Sequence, residues 1–479
     1  MEPATEPPVT PAETAKPRRR FRTRMLAILS VFSMLAAGAV WFFFFYDRRN
    51  AAVLQAELDQ TDPGWRMDDI WAEYQRTIPP DDKNSFLVVE AASKVIPPPF
   101  TMWSQKPESL LSVVKEEGKL EDGVPQALLT ESRQQLKQAR AALDIAHRLR
   151  AFNGLGAAPT KLSIDGMGTL IPHVDTVRKV CDLLQAEGTC AALSNDSDRA
   201  LIAAICCVQA GRSIGDEPFF ISQLIRLQGS TMAVTVAEQT LAKNVAKGEL
   251  LAELQDRLAA EVEASRFLTT MRMERACLNQ LYENFRTGKD TVGAFAARYG
   301  LNVPVSLGWQ SVLFTLHEKG EHQEVLEHAN QLVEAARQPE EKWVAQSRQI
   351  RPLPEPRSVV SKLLAGMGYR TETLAESDLS RVIPIRCAIA AIACERFRMR
   401  TEAWPKSLEE LPKDLLPNVP PDPFTGQALK FKHEAGGVIV YSVGPDGEDN
   451  GGKLSHTAKP PPGTDLGFRL IDPKKRGGK

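Results

Sequence analysis

The chain has 479 residues, a net charge of -1, 43% hydrophobic and 25% charged residues. That composition is ordinary for a folded protein and excludes the global basic field of a nucleic-acid binder. Aromatic residues make up only 7%, and the abundance of Ala and Leu favours helices over sheets.

Residues 1–24 form a tail rich in Pro, Thr and Glu that ends in a basic cluster, with Arg18, Arg19, Arg20, Arg22 and Arg24 following Lys16. Without apolar periodicity, the tail reads as disordered. From Met25 to Tyr46 runs an uncharged stretch, MLAILSVFSMLAAGAVWFFFFY. At about 1.5 Å per residue it is long enough to cross a bilayer core of about 30 Å. Trp41 and Tyr46 suit the far interface, and the basic residues before the run outweigh Arg48 and Arg49 after it. The positive-inside rule then places the N-terminus in the cytoplasm and the rest of the chain outside. A cleaved signal peptide is the rival, with Ala37-Gly38-Ala39 as its cleavage site. The apolar run continues past that site, which favours an uncleaved anchor.

From 47 to 402 the sequence reads as successive helices. Leu129, Leu136, Ala139, Leu143, Ala146 and Leu149 recur at three-four spacing, the stripe of one helix face. Similar stripes run over 173–188, 198–212, 231–260, 266–287, 322–337 and 376–402. Ser194-Asn195-Asp196 predicts a helix cap, and Asp216-Glu217-Pro218 a helix start with proline in the first turn. Breaks are expected at Pro97-Pro98-Pro99, around 153–159 and at 351–357. No internal repeat stands out, so antiparallel helical hairpins are the default.

After Trp404-Pro405 the pattern changes. Residues 428–432 and 438–443 predict two strands joined through Gly436-Gly437, and 467–471 predicts a short third. The fold class is therefore mainly α: a membrane anchor helix, an extracytoplasmic helical-hairpin domain, and a small C-terminal antiparallel β element over 403–472. The last residues, 473–479, read as a basic, solvated tail.

The seven cysteines, among them Cys206-Cys207, Cys387 and Cys394, lie in apolar runs and read as small buried hydrophobes. Outside the cytoplasm a Cys181–Cys190 bridge is the alternative. Gly211-Arg212-Ser213-Ile214-Gly215 matches a serine nucleophile elbow, but an alanine-rich helix precedes it where a strand is required. Gly447 to Lys453 approaches a phosphate-binding loop, but Leu454 stands where a magnesium-binding hydroxyl belongs. His317, His322 and His328 are spaced five and six apart, which is not ligand spacing on one helix face, and read as solvated. Arg272, Glu274 and Arg275 read as structural ion pairing.

The loop Tyr441-Ser442-Val443-Gly444-Pro445-Asp446-Gly447-Glu448-Asp449-Asn450-Gly451-Gly452 concentrates side-chain oxygens of the kind calcium takes. Asp446, Asp449, Asn450 and Ser442 are its candidate calcium ligands. An acidic surface turn explains the same residues without a metal.

Residues 385–452 resemble the C-terminal part of the major pseudopilin of type II secretion systems. The resemblance rests on Trp404-Pro405 with Leu408 and Leu411, on Asp422-Pro423-Phe424-Thr425-Gly426, on the strand pair, and on the YSVGPDGEDNGG loop. It implies calcium binding at Asp446 and Asp449, with Ser442 and Asn450 in support. The leader and opening motif of a pseudopilin do not precede Met25, so a standard pilus subunit is not implied. Most of the chain, including Gly215-Asp216-Glu217-Pro218-Phe219-Phe220-Ile221-Ser222-Gln223-Leu224, is similar to single-span bacterial envelope proteins of unassigned activity. The leading expectation is a membrane-anchored scaffold or interaction protein with a protein partner in the envelope. The alternatives are an accessory part of a secretion or pilus-like apparatus, with calcium as cofactor, and an envelope enzyme whose site is assembled from scattered residues.

Overall fold

The computed structural model describes residues 51–98, 124–263, 265–299, 307–350, 373–455 and 460–476, together with a few residues between 30 and 38. The apolar run 25–46 lies mostly outside the described residues, and the break expected at 351–357 lies wholly outside them. Among the described residues, no helix is long and apolar enough to cross a membrane.

The chain is mainly helical with one small antiparallel sheet. The helices are α1 (51–61), α2 (Met67–Gln75), α3 (Ser85–Lys94), α4 (Gln126–Gln138), α5 (Arg140–Ala146), α6 (His173–Leu193), α7 (Ser197–Arg212) and α8 (Phe220–Lys243). They continue with α9 (Gly248–Val262), α10 (Phe267–Thr287), α11 (Val292–Arg298), α12 (Leu307–Ala336), α13 (Glu340–Gln349) and α14 (Leu374–Thr401).

Several periodic stripes mark these helices within a few residues, but the stripe over 322–337 covers only the second half of α12 and that over 231–260 starts well inside α8. The stripe over 129–149 is divided at Ala139 between α4 and α5. The stripe over 231–260 is divided between α8 and α9, because Asn244 leaves helical geometry and turns its amide onto the carbonyl of Ala192. Pro218 lies before α8 rather than in its first turn, and Asp216 and Glu217 accept bonds from Arg226 and Ser222 of α8 as the chain enters that helix. The cap of α7 is Asp196, whose carboxylate accepts the Arg199 N–H, with Asn195 beside it at φ 60°.

Helices α6, α7 and α8 pack side by side at the centre, with α14 against α8 and α9. Small residues allow this closeness. Gly188 sits against Val236, and the Gly211 and Gly229 backbones touch where α7 meets α8. A side chain at either of the latter would meet main-chain atoms within about 3 Å.

The sheet has the order β1 (Lys430–Glu434), β2 (Gly437–Ser442), β3 (Leu466–Ile471), antiparallel throughout. It is not an appendage. Val438, Val440, Leu466, Phe468 and Leu470 join the same buried core as Ile383, Cys387 and Ile392 of α14 and Leu251, Leu254 and Leu258 of α9. Gly437 (φ 152°) permits the turn, since a Cβ there would lie 1.9 Å from the Leu470 carbonyl oxygen. The C-terminus is also tied down. Arg476 makes a bidentate pair with the buried Glu395, 2.8 Å at each oxygen, so the expected solvated tail does not begin at Pro473.

Candidate functional site

The loop singled out by its oxygens follows directly from β2. Ser442 is fully buried and belongs to a different set of bonds: it donates to Asp422 (2.9 Å) and accepts the Gly444 N–H. Asp422 also accepts the N–H groups of Val443 and Phe424. It thereby joins the DPFTG turn to the end of β2, a structural use of both motif residues. Asp446, Asp449 and Asn450 do share one loop. Asp446 accepts the N–H groups of Glu448 and Gly463, and Asp449 accepts the Gly451 N–H and the Tyr441 hydroxyl. Those bonds, the Gly451 amide foremost, hold the Asp449 carboxyl below its usual range.

The residue missed from sequence is Asp465. It is buried and accepts the N–H groups of Asn450 (3.2 Å) and Gly452 (2.7 Å). Burial pushes its carboxyl up against those bonds. Nothing in the TDLG stretch distinguishes it in sequence. Only the closure of 460–465 onto the loop brings it there. Among the described residues, no group of three or more His, Cys, Asp or Glu side chains is arranged to hold a metal ion.

A second arrangement centres on the Gly215–Leu224 stretch, where α7 turns into α8. Gly215 (φ 73°) lies with its Cα so close to Gly156 that a Cβ would be 2.2 Å from the Gly156 carbonyl oxygen. Its own carbonyl accepts Gln223 and Arg226. Glu217, wholly buried, accepts Ser222 (2.5 Å), His173 (2.8 Å) and Thr160 (2.8 Å). Asp216 takes Arg226 and Arg266. Burial opposes its charge, but the two guanidinium groups win and hold its carboxyl low. Arg226 also grips Glu261 of α9 through two bonds, and Arg212 reaches the same carboxylate. The stretch is thus a hub where side chains of α6, α8 and α9 meet in pairs.

Beside the hub is a cavity of about 20 Å³, room for one or two water molecules. Gln223, Arg266, Glu340, Asp378 and Arg386 line it. Glu340 and Arg386 pair at 2.8 Å. Burial, with Glu340 nearby, pushes the Asp378 carboxyl up to about 7. The Gln223 Oε1 atom is buried without a hydrogen-bond partner among the described residues. Perturbed titration in a concave site is a functional signal, but this volume is too small for an organic substrate.

The remaining candidates resolve structurally. Ser213 caps α7 and donates to the Ala210 carbonyl (2.6 Å), with no strand before it. Arg275, fully buried, pairs with Asp62 and bonds Asn330, and Arg272 pairs with the same Asp62. His322 and His328 are buried, contrary to the solvated reading, while the His317 side chain lies outside the described residues. The polar spacing around them is misleading because α12 packs its histidine face onto α10. His322 stacks on Tyr282 with the rings 5.0 Å apart. All seven cysteines are free and buried. Cys181 and Cys190 sit on one helix, nine residues apart, too far to bridge. Cys181 instead faces Cys207 of α7, each thiol directed at the other's carbonyl.

No family model, no curated protein and no solved structure matches the chain.

Proposed function

We propose that the chain is a single-pass envelope protein with its N-terminus in the cytoplasm, whose helical body serves as a rigid platform presenting the C-terminal sheet to a protein partner. The apolar run 25–46, with its flanking arginines, supports the anchor and its orientation.

One observation carries the platform reading, the asymmetry of the sheet's edges. The outer edge of β3 is closed, because Glu238 of α8 accepts the Arg469 N–H at 2.8 Å. The outer edge of β1 pairs with no strand among the described residues, and four of its five residues are exposed. The glycine-rich loop lies beside it, with Lys432 bonded to the Gly451 carbonyl and Lys430 3.5 Å from Asp449. An open edge next to a shaped loop, on a sheet embedded in the core, is suited to partner recognition.

Photocrosslinking amino acids placed at Lys430, Lys432 and Glu448 in the native membrane test this. The same envelope protein should be captured from all three, and not from Lys83 or Arg140 on the helical body. Equal capture everywhere, or none, overturns the reading.

The placement of Asp446, Asp449 and Asn450 on one loop, with Asp465 bonded to its backbone, supports a second reading, an accessory of a secretion or pilus-like apparatus with a calcium-stabilised loop. Calcium should raise the melting temperature of the full chain over chelator, and Asp446→Ala or Asp449→Ala should remove the difference. An unchanged melting temperature refutes it.

A further inference from the structure

The sequence gives α10 a polar stripe: Asn279, Gln280, Glu283, Asn284 and Thr287 recur at helical spacing on one side. That stripe, together with Gln55 of α1, Arg66 and Lys289, lines a cavity of about 220 Å³. Among the described residues every lining side chain is polar. Space of this size holds a ligand of one or two rings, not a single ion.

Asn279 is 7% exposed, and its carbonyl oxygen is already satisfied. Gln55 Nε2 donates to it at 2.9 Å, and the His322 ring nitrogen lies 3.0 Å away. His322 is buried and stacked flat on Tyr282, so the Asn279 amide is held in one orientation. Its NH2 group has no acceptor among the described residues.

The neighbouring amides are oriented in the same way. Gln280 spends its NH2 on Asn284 (2.8 Å), and Asn284 spends its own on the Ile164 carbonyl (2.8 Å). Gln55 spends its NH2 on Asn279 and Glu283. Glu283 is further occupied by Arg286. What remains at the cavity is a fixed donor at Asn279, amide oxygens of Gln55 and Gln280, the lone pairs of Thr287, and the charged ends of Arg66, Glu283 and Lys289.

Such a wall suits a ligand whose groups both donate and accept on all sides, which is the property of hydroxyls. An apolar ligand would displace water without replacing its bonds. A peptide needs apolar subsites for its side chains, and among the described residues no apolar side chain lines this cavity. We propose that the cavity between α1 and α10 is a binding site for a saccharide unit. Asn279 donates to a ring or hydroxyl oxygen, and Gln55 and Gln280 accept from hydroxyls.

The test is saturation-transfer NMR on the full chain in lipid nanodiscs, since glycoside detergents would compete for the site. The probes are maltose, N,N′-diacetylchitobiose and a galacturonic acid disaccharide, with trialanine as the peptide control. At least one disaccharide should bind with a Kd of roughly 1 mM, and trialanine should not. Asn279→Leu also removes the bonds to Gln55 and His322, so it can fail to fold. The half-exposed Gln280 and exposed Thr287 therefore carry the test. The Gln280→Ala/Thr287→Ala double variant should melt like the parent and bind at least about tenfold more weakly. No transfer to any disaccharide, transfer unaffected by the double variant, or equal transfer to trialanine overturns the proposal. None of these outcomes bears on the membrane and partner reading, which has its own crosslinking test.

Discussion

Arg226 and Glu261 form a bidentate ion pair out of contact with solvent, Nε to Oε1 at 2.7 Å and Nη2 to Oε2 at 2.9 Å. The pair fastens α8 to α9 and, through Asp216 and Arg266, to the turn after α7. Removing Arg226 leaves the buried Glu261, among the described residues, with only the longer 3.3 Å contact to Arg212, and a poorly compensated buried charge costs up to about 3–5 kcal/mol. Arg226→Met should therefore lower the urea midpoint sharply. The triple variant Arg212→Met/Arg226→Met/Glu261→Met, which removes all three charges that meet at Glu261, should recover part of that loss. A triple variant less stable than Arg226→Met would refute this assignment.

Asp378 gives the protein a pH dependence of defined sign. Its carboxyl is raised to about 7 in the folded state, first by burial and then by Glu340, against about 3.9 when unfolded. The folded state therefore binds the extra proton, and stability falls as pH rises from about 4 to 7 and is then level. The loss is at most about 4 kcal/mol. In Asp378→Asn the difference between urea midpoints at pH 5 and pH 8 should shrink, with the variant the more stable at pH 8. A midpoint difference as large as the parent's would show that another group titrates.

His322 acts in the opposite direction. Burial against Tyr282 lowers its ring to about 4, so the folded state holds the neutral form while the unfolded chain takes up a proton below about 6.5. Its contribution is complete above about 6.5 and is lost as pH falls toward 4, by up to about 3 kcal/mol. The His322 ring resonances should titrate near 4 in NMR, and His322→Gln should reduce the loss of stability in acid. Between pH 4 and 6.5 this effect and that of Asp378 partly cancel.

Gly215→Ala should be among the most damaging single-methyl changes. The position has φ 73°, and a Cβ would press on the Gly156 carbonyl oxygen at 2.2 Å. The backbone conformation alone disfavours a side chain by about 1–2 kcal/mol, and the main-chain clash adds to it. Thermal melting should show a drop of several degrees or failure to fold, whereas Gly293→Ala, with open space around it, should be near neutral.

The thiols should be silent in the native state. Burial pushes Cys190 and Cys206 up to about 12 and raises Cys277 well above the usual thiol range, and the Cys181 thiol, followed by burial, does the same for Cys207. A maleimide probe at pH 8 should label none of the seven buried cysteines until denaturant is added. Fast labelling of the folded protein would contradict the core packing.

The residues themselves determined the helical class, the positions of most helices and the three strands. Each rests on local periodicity or turn chemistry that a short window of sequence carries. Leu129 and Leu136 show a helix face whatever they pack against, and Val438–Tyr441 reads as a strand without knowledge of its partners. What each charged or polar residue does was decided only by tertiary packing. Ser442 has the composition of a ligand, but Asp422, twenty residues away, claims it. Asp465 has no local signal, yet closure of the following segment places it under the loop. His322 looks solvated in a polar stretch and is buried because α12 turns that face onto α10. The tail arginine Arg476 looks free and is held by Glu395, 81 residues earlier. A side chain's hydrogen-bond partner depends on which distant element arrives beside it, and the spacing of its own neighbours does not encode that arrival.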